Sequence, residues 1–246
     1  MLVDGAVVTK ASWETSPDRV TLEDAVPSHY VSRAALKLVG ALDACEPLGL
    51  DVCGRDALDA GASTGGFTQV LLERGARHVI ALDVGHGQLA PQIAGDPRVT
   101  AVEGANVRDL TGGSPGAGVS LVVADLSFIS LTLVVKPLVD FAAADAHFLL
   151  MVKPQFEVGR SRLSKHGVVK DDASKREAVH RVVVHMQDNG LGIHAVERSS
   201  LPGPAGNEEF FVWASGSWQA RRAGTPLVLD DAGVAQAIAG AVKGNT

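Results

Sequence analysis

The sequence predicts a doubly wound α/β fold: a seven-stranded, mostly parallel sheet, helices on both faces and an antiparallel hairpin at one edge. Three observations carry that reading. From residue 56 onward, short apolar runs alternate with segments of helical period at the spacing of repeated β–α units. The turn after the first run is crowded with small residues, as where a strand hands over to a helix beside a ligand. The last two runs are joined by the Pro/Gly loop Leu201–Asn207, which has no room for a crossover helix.

Taken in order, residues 1–25 are polar, with β-like pieces Leu2–Val3 and Ala6–Val8 around Asp4-Gly5, a hairpin signal. So short a segment buries no core of its own. Residues 26–31, broken by Pro27, read as a linker. Ser32 offers an N-cap to a helix over Ala34–Ala44. Ala57-Leu58-Asp59 is the first strand, and Gly65–Glu73 the helix after it, closed by Gly75 at C′. His78–Asp83, Val99–Glu103 and Ser120–Asp125 are the next three strands. Leu131–Ala143 reads as a helix and His147–Val152 as the fifth strand. Pro154–Asp172 is long for an irregular connection and reads as a substrate-side lid. Ala173–Asn189 is an amphipathic helix with Gly190 after it. Ile193–Val196 and Phe210–Trp213 close the set, and a tail helix lies near Val234–Val242.

Composition narrows the class. The 246 residues are 46% hydrophobic and 20% charged, ordinary for a globular chain. A net charge of −6 argues against a protein that coats nucleic acid non-specifically. Yet Lys153–Arg181 holds eight Lys/Arg against four Asp/Glu, which is either a solvated face or a phosphate-facing patch. Cys45 and Cys53 support neither a disulfide framework nor a zinc site; they read as core fillers in a reducing cytoplasm. Phe141–Val152, the longest apolar run, is broken by Asp145 and predicts no membrane span.

The small-residue turn runs Asp59-Ala60-Gly61-Ala62-Ser63-Thr64-Gly65-Gly66-Phe67-Thr68. Its glycine spacing departs from the G-x-G-x-x-G of dinucleotide sites. A carboxylate at the strand end, Asp59, suits a cationic amino-acid ligand better than a pyrophosphate, and S-adenosylmethionine carries a sulfonium and an ammonium. Asp83 ends the second strand, where an acidic side chain can meet ribose hydroxyls. The bland alternative is a tight turn flanked by two capping aspartates. His86, just beyond, reads as a surface residue.

Three more strand ends point the same way: Asp125 after strand four, Lys153 after strand five and Glu209 at the start of the last strand. A lysine directly behind Phe148–Val152 is costly unless paired, and Asp125 on the neighbouring strand is its natural partner. The pair is either a plain buried ion pair or the means of aligning and activating a weakly acidic hydroxyl. Alternation along the strand exposes one of Glu208 and Glu209. The segment after strand four, Asp-Leu-Ser-Phe, lacks the Pro-Pro-aromatic pattern of base amino-methylases, and both cysteines precede strand one.

These motifs together, Ser32–Leu38, Asp59–Thr68, Ala124–Ser130, Lys153–Gly159 and Leu201–Phe211, resemble the TlyA or hemolysin A family of ribosomal RNA cytidine 2′-O-methyltransferases, relatives of the FtsJ ribose methylases. The resemblance spans about residues 28–215 and is sharpest in A-D-L-S-F-I-S, V-K-P-Q-F-E and L-P-G-P-x-G-N. It implies a Rossmann-like class I methyltransferase over residues 32–246 that binds S-adenosyl-L-methionine and acts on ribosomal RNA within ribosomal subunits. It implies a catalytic tetrad at Lys37, Asp125, Lys153 and Glu209. Lys37 comes from the resemblance alone, and by itself would read as a solvated helix lysine. The implied cofactor contacts are Asp59, Gly61, Ala62, Ser63, Thr64, Gly65, Gly66, Phe67, Asp83, Val84, Asn106 and Asp125. Two departures stand out. Ala34-Ala35 follow Ser-Arg where the family has glycine, and Leu2–Lys10 resembles only the closing hairpin of the S4 RNA-binding domain, so 1–25 reads as a remnant of it. Two rival readings remain: an idle RNA- or ribosome-binding scaffold, and a cytolysin, as the family's older name suggests.

Overall fold

The structure is a computed structural model that describes residues 2–3, 6–7, 20–21, 29–216 and 226–243. Strands β1 (Leu2–Val3), β2 (Ala6–Val7) and β3 (Val20–Thr21) form a small antiparallel sheet in the order β2-β1-β3. Leu2 pairs with Val7 and Val3 with Ala6; Asp4 and Gly5, the expected hairpin turn, lie outside the described residues. Val8, the end of the expected second piece, and residues 26–28 of the expected linker lie outside the described residues.

Helix α1 (Ala34–Cys45) leads into β4 (Asp56–Ala60), α2 (Gly66–Glu73), β5 (His78–Asp83), the short α3 (Pro91–Ala94) and β6 (Val99–Glu103). Then come β7 (Val119–Ala124), α4 (Val135–Phe141), β8 (Ala142–Val152), the one-turn α5 (Pro154–Glu157), α6 (Asp172–Asp188), β9 (Gly192–Arg198), β10 (Phe210–Ser215) and α7 (Asp231–Lys243). The main sheet runs β6-β5-β4-β7-β8-β10-β9. β4 pairs in parallel with β5 and β7, β7 with β8, and β5 with β6, whereas β10 is antiparallel to both β8 and β9. The expected edge hairpin is therefore present, with β10 inserted and β9 outermost.

Period-two alternation builds the two cores. Phe148, Leu150 and Val152 of β8, with Phe210 and Val212 of β10, face α4, α6 and α7. Leu149 and Met151, with Phe211 and Trp213, face α1 and α2. Val179, Val182, Val183 and Met186 place the apolar stripe of α6 inside the first core, so that stripe is buried against the sheet. Among the described residues no helix is long and apolar enough to cross a membrane.

Some local expectations need correction. Ser32 does not cap α1: the N-cap position is Arg33, in helical conformation and without a side-chain bond. Ser32 instead packs against Gly66, where an added Cβ would stand 2.2 Å from its Oγ. The helix expected over 131–143 is split into a 3-10 turn at Leu131–Leu133 and α4. Pro137 has no N–H for the carbonyl of Leu133, so one continuous helix cannot form. The chain then turns extended at Ala142 and β8 starts well before His147. The 154–172 connection is not structureless: it holds α5 and a 3-10 turn at Arg160–Arg162, and buries Val158 and Val169 against Ala178. Cys45 fills the core, but Cys53 is exposed.

Phe148 sits at the centre of the sheet, 1% exposed. Phe148→Ala is expected to lower the free energy of unfolding by about 3–5 kcal/mol, measured by chemical denaturation.

Candidate active site

The chain leaves β4 for β5 on one side and returns to β7 on the other, so strand order reverses between β4 and β7. A crevice opens there, at the carboxyl ends of the strands. Gly61 makes the turn. Its φ of +85° is left-handed, and a Cβ would stand 2.8 Å from the carbonyl oxygen of Asp125, so only glycine lets the β4 and β7 ends close to this spacing. Gly61 and Ala62 donate their N–H groups to the Leu82 carbonyl at 2.8 and 3.1 Å. Ser63, a non-glycine with φ of +48°, donates its N–H to Asp83 Oδ2 at 2.8 Å, and Gly85 N–H donates to Asp83 Oδ1 at 2.8 Å. Asp83 thus braces two loops and keeps lone pairs toward the crevice.

Two compartments adjoin. The first, about 490 Å³, has a polar wall of Ser63, Asp83, Gln88 and Asn106 and an apolar wall of Leu82, Val107, Leu126, Phe128, Ile129 and Val134; Gly61, Val84, Ala105, Asp125 and Ser127 complete it. The second, about 270 Å³, is lined by Ser32, Arg33, Ala34, Lys37, Ala62, Thr64, Gly66, Phe67, Lys153 and Pro204 together with Gly61, Ser63, Asp125 and Ser127. Those last four residues belong to both, so one space opens into the other.

Two lysines face the second compartment, each held by a carboxylate. Lys37 Nζ donates to Glu209 Oε2 at 2.5 Å, with Lys37 5% and Glu209 1% exposed. Lys153 Nζ lies 2.5 Å from Asp125 Oδ1 and donates to Ser127 Oγ at 2.8 Å. Breaking a buried pair from one side strands the other charge, so each partner depends on the other. Strand alternation sorts the adjacent glutamates: Glu209 turns inward to Lys37, while Glu208 turns out to Lys175 at 2.8 Å and Arg198 at 2.6 Å. Of the eight basic residues in 153–181, Lys153, Arg162, Lys175 and Arg181 are in ion pairs, which leaves Arg160, Lys165, Lys170 and Arg176 to carry the patch.

Ten of the twelve residues singled out for the cofactor line these compartments: Gly61, Ala62, Ser63, Thr64, Gly66, Phe67, Asp83, Val84, Asn106 and Asp125. Gly65 and Asp59 lie behind the wall. Asp59 is fully buried, with Oδ2 accepting from Thr68 Oγ1 at 2.6 Å, and burial pushes its carboxyl up to about 7 against the opposing Thr68 bond, with Asp125 and Asp83 adding to the rise. Glu209 lines neither compartment and acts through Lys37. Sequence reading assigned no role to Gln88, Ser127 or Pro204. Ser127 was legible in principle, two residues past Asp125 and so on the same side of an extended segment. Lys37 had a signal too: it lies four residues before Ala41, on the buried arc of α1.

The sequence profile of FtsJ-like methyltransferases matches residues 30–215. A Mycobacterium tuberculosis relative, the 16S/23S rRNA (cytidine-2′-O)-methyltransferase TlyA, is 52% identical over 184 residues, covering 75% of this chain and 68% of the relative. This chain belongs to the TlyA group of FtsJ-like methyltransferases. A second relative, Hemolysin A of Brachyspira hyodysenteriae, is 35% identical over 216 residues, covering 86% of this chain and 87% of the relative. A solved Streptococcus thermophilus structure described as a candidate hemolysin has a TM-score of 0.78 at 31% identity, covering 92% of this chain and 78% of that one. The matched span of the FtsJ-like profile contains both lysine–carboxylate pairs and the whole Gly61–Gly66 turn.

The Asp59 environment makes stability depend on pH. The folded chain keeps a proton on Asp59 up to about 7, whereas the ordinary value is 3.8, so between those values the folded state binds more protons and loses stability as pH rises. Asp59→Asn, neutral throughout, is expected to remove a slope approaching ~1.4 kcal/mol per pH unit within that window, read from urea unfolding at a series of pH values.

Proposed function

We propose that the chain transfers a methyl group from S-adenosyl-L-methionine to a ribose 2′-hydroxyl, a cytidine's, in ribosomal RNA. The observation that carries this reading is the pair of buried lysine–carboxylate contacts, Lys37–Glu209 and Lys153–Asp125, facing one compartment that opens into the glycine-turn crevice. The names borne by the TlyA relatives support the same substrate.

The crevice fits the cofactor. Its apolar wall of Leu82, Val107, Leu126 and Ile129 suits a planar base, and Asp83 and Asn106 stand where ribose hydroxyls would meet acceptors and donors. Asp83 and Asp125 give the crevice two acidic lining residues, which favours a ligand bearing a sulfonium and an ammonium. When bound, S-adenosylmethionine supplies an electrophilic methyl carbon. Lys153 is placed to receive the ribose oxygen: Ser127 takes one of its three ammonium donors and Asp125 fixes its direction. As the hydroxyl releases its proton to solvent water at the open side of the second compartment, the Lys153 ammonium offsets charge developing on oxygen at short range. Lys37, fixed by Glu209, completes the polar lining where the sugar enters.

Cationic groups are available to hold the RNA backbone. Arg33 lines that compartment, and Arg160, Lys165 and Lys170 are free of ion pairs among the described residues. Residues 1–25 are read as a remnant of an S4 RNA-binding domain and 32–246 as the methyltransferase domain, working on ribosomal subunits in the cytoplasm.

Lys153→Ala is expected to leave S-adenosylmethionine binding within about twofold while lowering transfer by ~10²-fold or more. Calorimetric titration of the cofactor and mapping of 2′-O-methyl groups on ribosomal RNA measure the two quantities. Retained transfer in that variant removes the mechanism.

A further inference from the structure

Glu157 is a buried acid that the chemistry above does not use. It closes α5, the single turn that follows Lys153 directly; Phe156 N–H donates to the Lys153 carbonyl at 2.9 Å and Val158 N–H to Pro154 at 3.0 Å. The Glu157 side chain is 5% exposed and points across to the segment after β7. There its Oε1 accepts from the Leu131 N–H at 2.8 Å and its Oε2 from Ser130 Oγ at 2.6 Å. Ser130 in turn caps the 3-10 turn by accepting from Thr132 N–H at 3.2 Å. From the other side Arg181 of α6 donates to the Glu157 carbonyl at 2.7 Å.

The segment so held matters. Residues 125–131 carry Asp125 and Ser127, which fix Lys153, and Leu126 and Ile129, which wall the crevice. At its near end Asp125 N–H is tied to the Ala60 carbonyl at 3.1 Å. Its middle is strained, with Phe128 at a φ of +65° and 91% exposed. A strained, exposed middle holds its shape only if the far end is fixed too, and Glu157 fixes it to the turn that bears Lys153. A carboxyl supplies two acceptors for two donors here, one of them a buried backbone N–H that needs a partner. Its retention against the cost of burial, which pushes the carboxyl above its ordinary range, points to the spacing it sets.

We propose that Glu157 is a positioning residue that splints the Asp125–Leu131 segment to the Lys153 turn, and so sets both the Lys153–Asp125 spacing and the apolar wall of the cofactor crevice. The functional half of this inference rests on the methyl-transfer reading; the splint does not.

The test compares the full chain with Glu157→Ala, Glu157→Gln and Ser130→Ala. Glutamine can still accept from Leu131 N–H through its carbonyl and donate to Ser130 Oγ through its amide, so it rescues; alanine does neither. Hydrogen exchange by mass spectrometry is expected to show peptides over 125–133 opening roughly tenfold faster in Glu157→Ala, with β7 and β8 still protected. Ser130→Ala should fall between, and Glu157→Gln should match the parent. S-adenosylhomocysteine should bind Glu157→Ala about tenfold more weakly by calorimetry, and kcat should fall further than KM for RNA changes. Unchanged exchange over 125–133, or loss of protection spread evenly through β7 and β8, overturns the splint. Faster local exchange with unchanged cofactor affinity and kcat overturns the positioning role. If the parent chain binds no S-adenosylhomocysteine, the cofactor reading fails while exchange still decides the splint. If Glu157→Ala does not fold, Ser130→Ala decides, since it removes one bond and leaves the carboxyl in place.

Discussion

Two ammonium groups withdrawn from water govern this molecule. Removing an ion from solvent costs on the order of several kcal/mol, and a partner in good geometry must offset it. Lys37 and Lys153 therefore demand Glu209 and Asp125, and those carboxylates come from distant parts of the chain. The Lys37–Glu209 bond spans 172 residues of sequence, the Lys153–Ser127 bond only 26. The fold brings both pairs to one edge because the carboxyl ends of β7 and β8 and the start of the antiparallel β10 all lie there. If β10 ran parallel to its neighbours, Glu209 would begin at the opposite edge of the sheet and Lys37 would be stranded.

The fold was legible where burial is two-sided. Runs such as Leu121–Ala124 and Phe148–Val152 are apolar throughout because both faces of the sheet are covered, and they declare themselves without alternation. Reading failed where one local rule met another. Pro137 sits inside an apolar, helix-like stretch, and its missing N–H decides against continuity there. Ser32 carries the right chemistry for a cap, but its hydroxyl is spent packing on Gly66. Local preference misplaces the start of β8, since Ala142–Ala144 favour helix and are drawn into the strand only by its pairing.

The site was legible where a polar residue interrupts a buried run at a strand end, as Asp83, Asp125 and Lys153 do. The glycine turn was legible for a different reason, since only a backbone needing close approach concentrates small residues so densely. What stayed hidden was the partner in each contact. Lys37 looks like any helix lysine until the arc it shares with Leu38 and Ala41 is seen to be buried. Asp59 looks like a ligand until it is found behind the wall, shared with Thr68. Ser127 and Glu157 act through spacing between loops, which no one-dimensional pattern records.

The antiparallel insertion of β10 also orders events while the chain is being made. Synthesis proceeds from the N-terminus, and domains begin to fold as they emerge. The parallel strands β4 to β8 and helices α1 and α2 are all made before residue 209 exists. Until β10 slides between β8 and β9, the Lys37 ammonium has no Glu209 to meet and α1 cannot seat without leaving a charge uncompensated. Of the described strands, the last to be made is thus the one that both completes the sheet and neutralises the Lys37 ammonium.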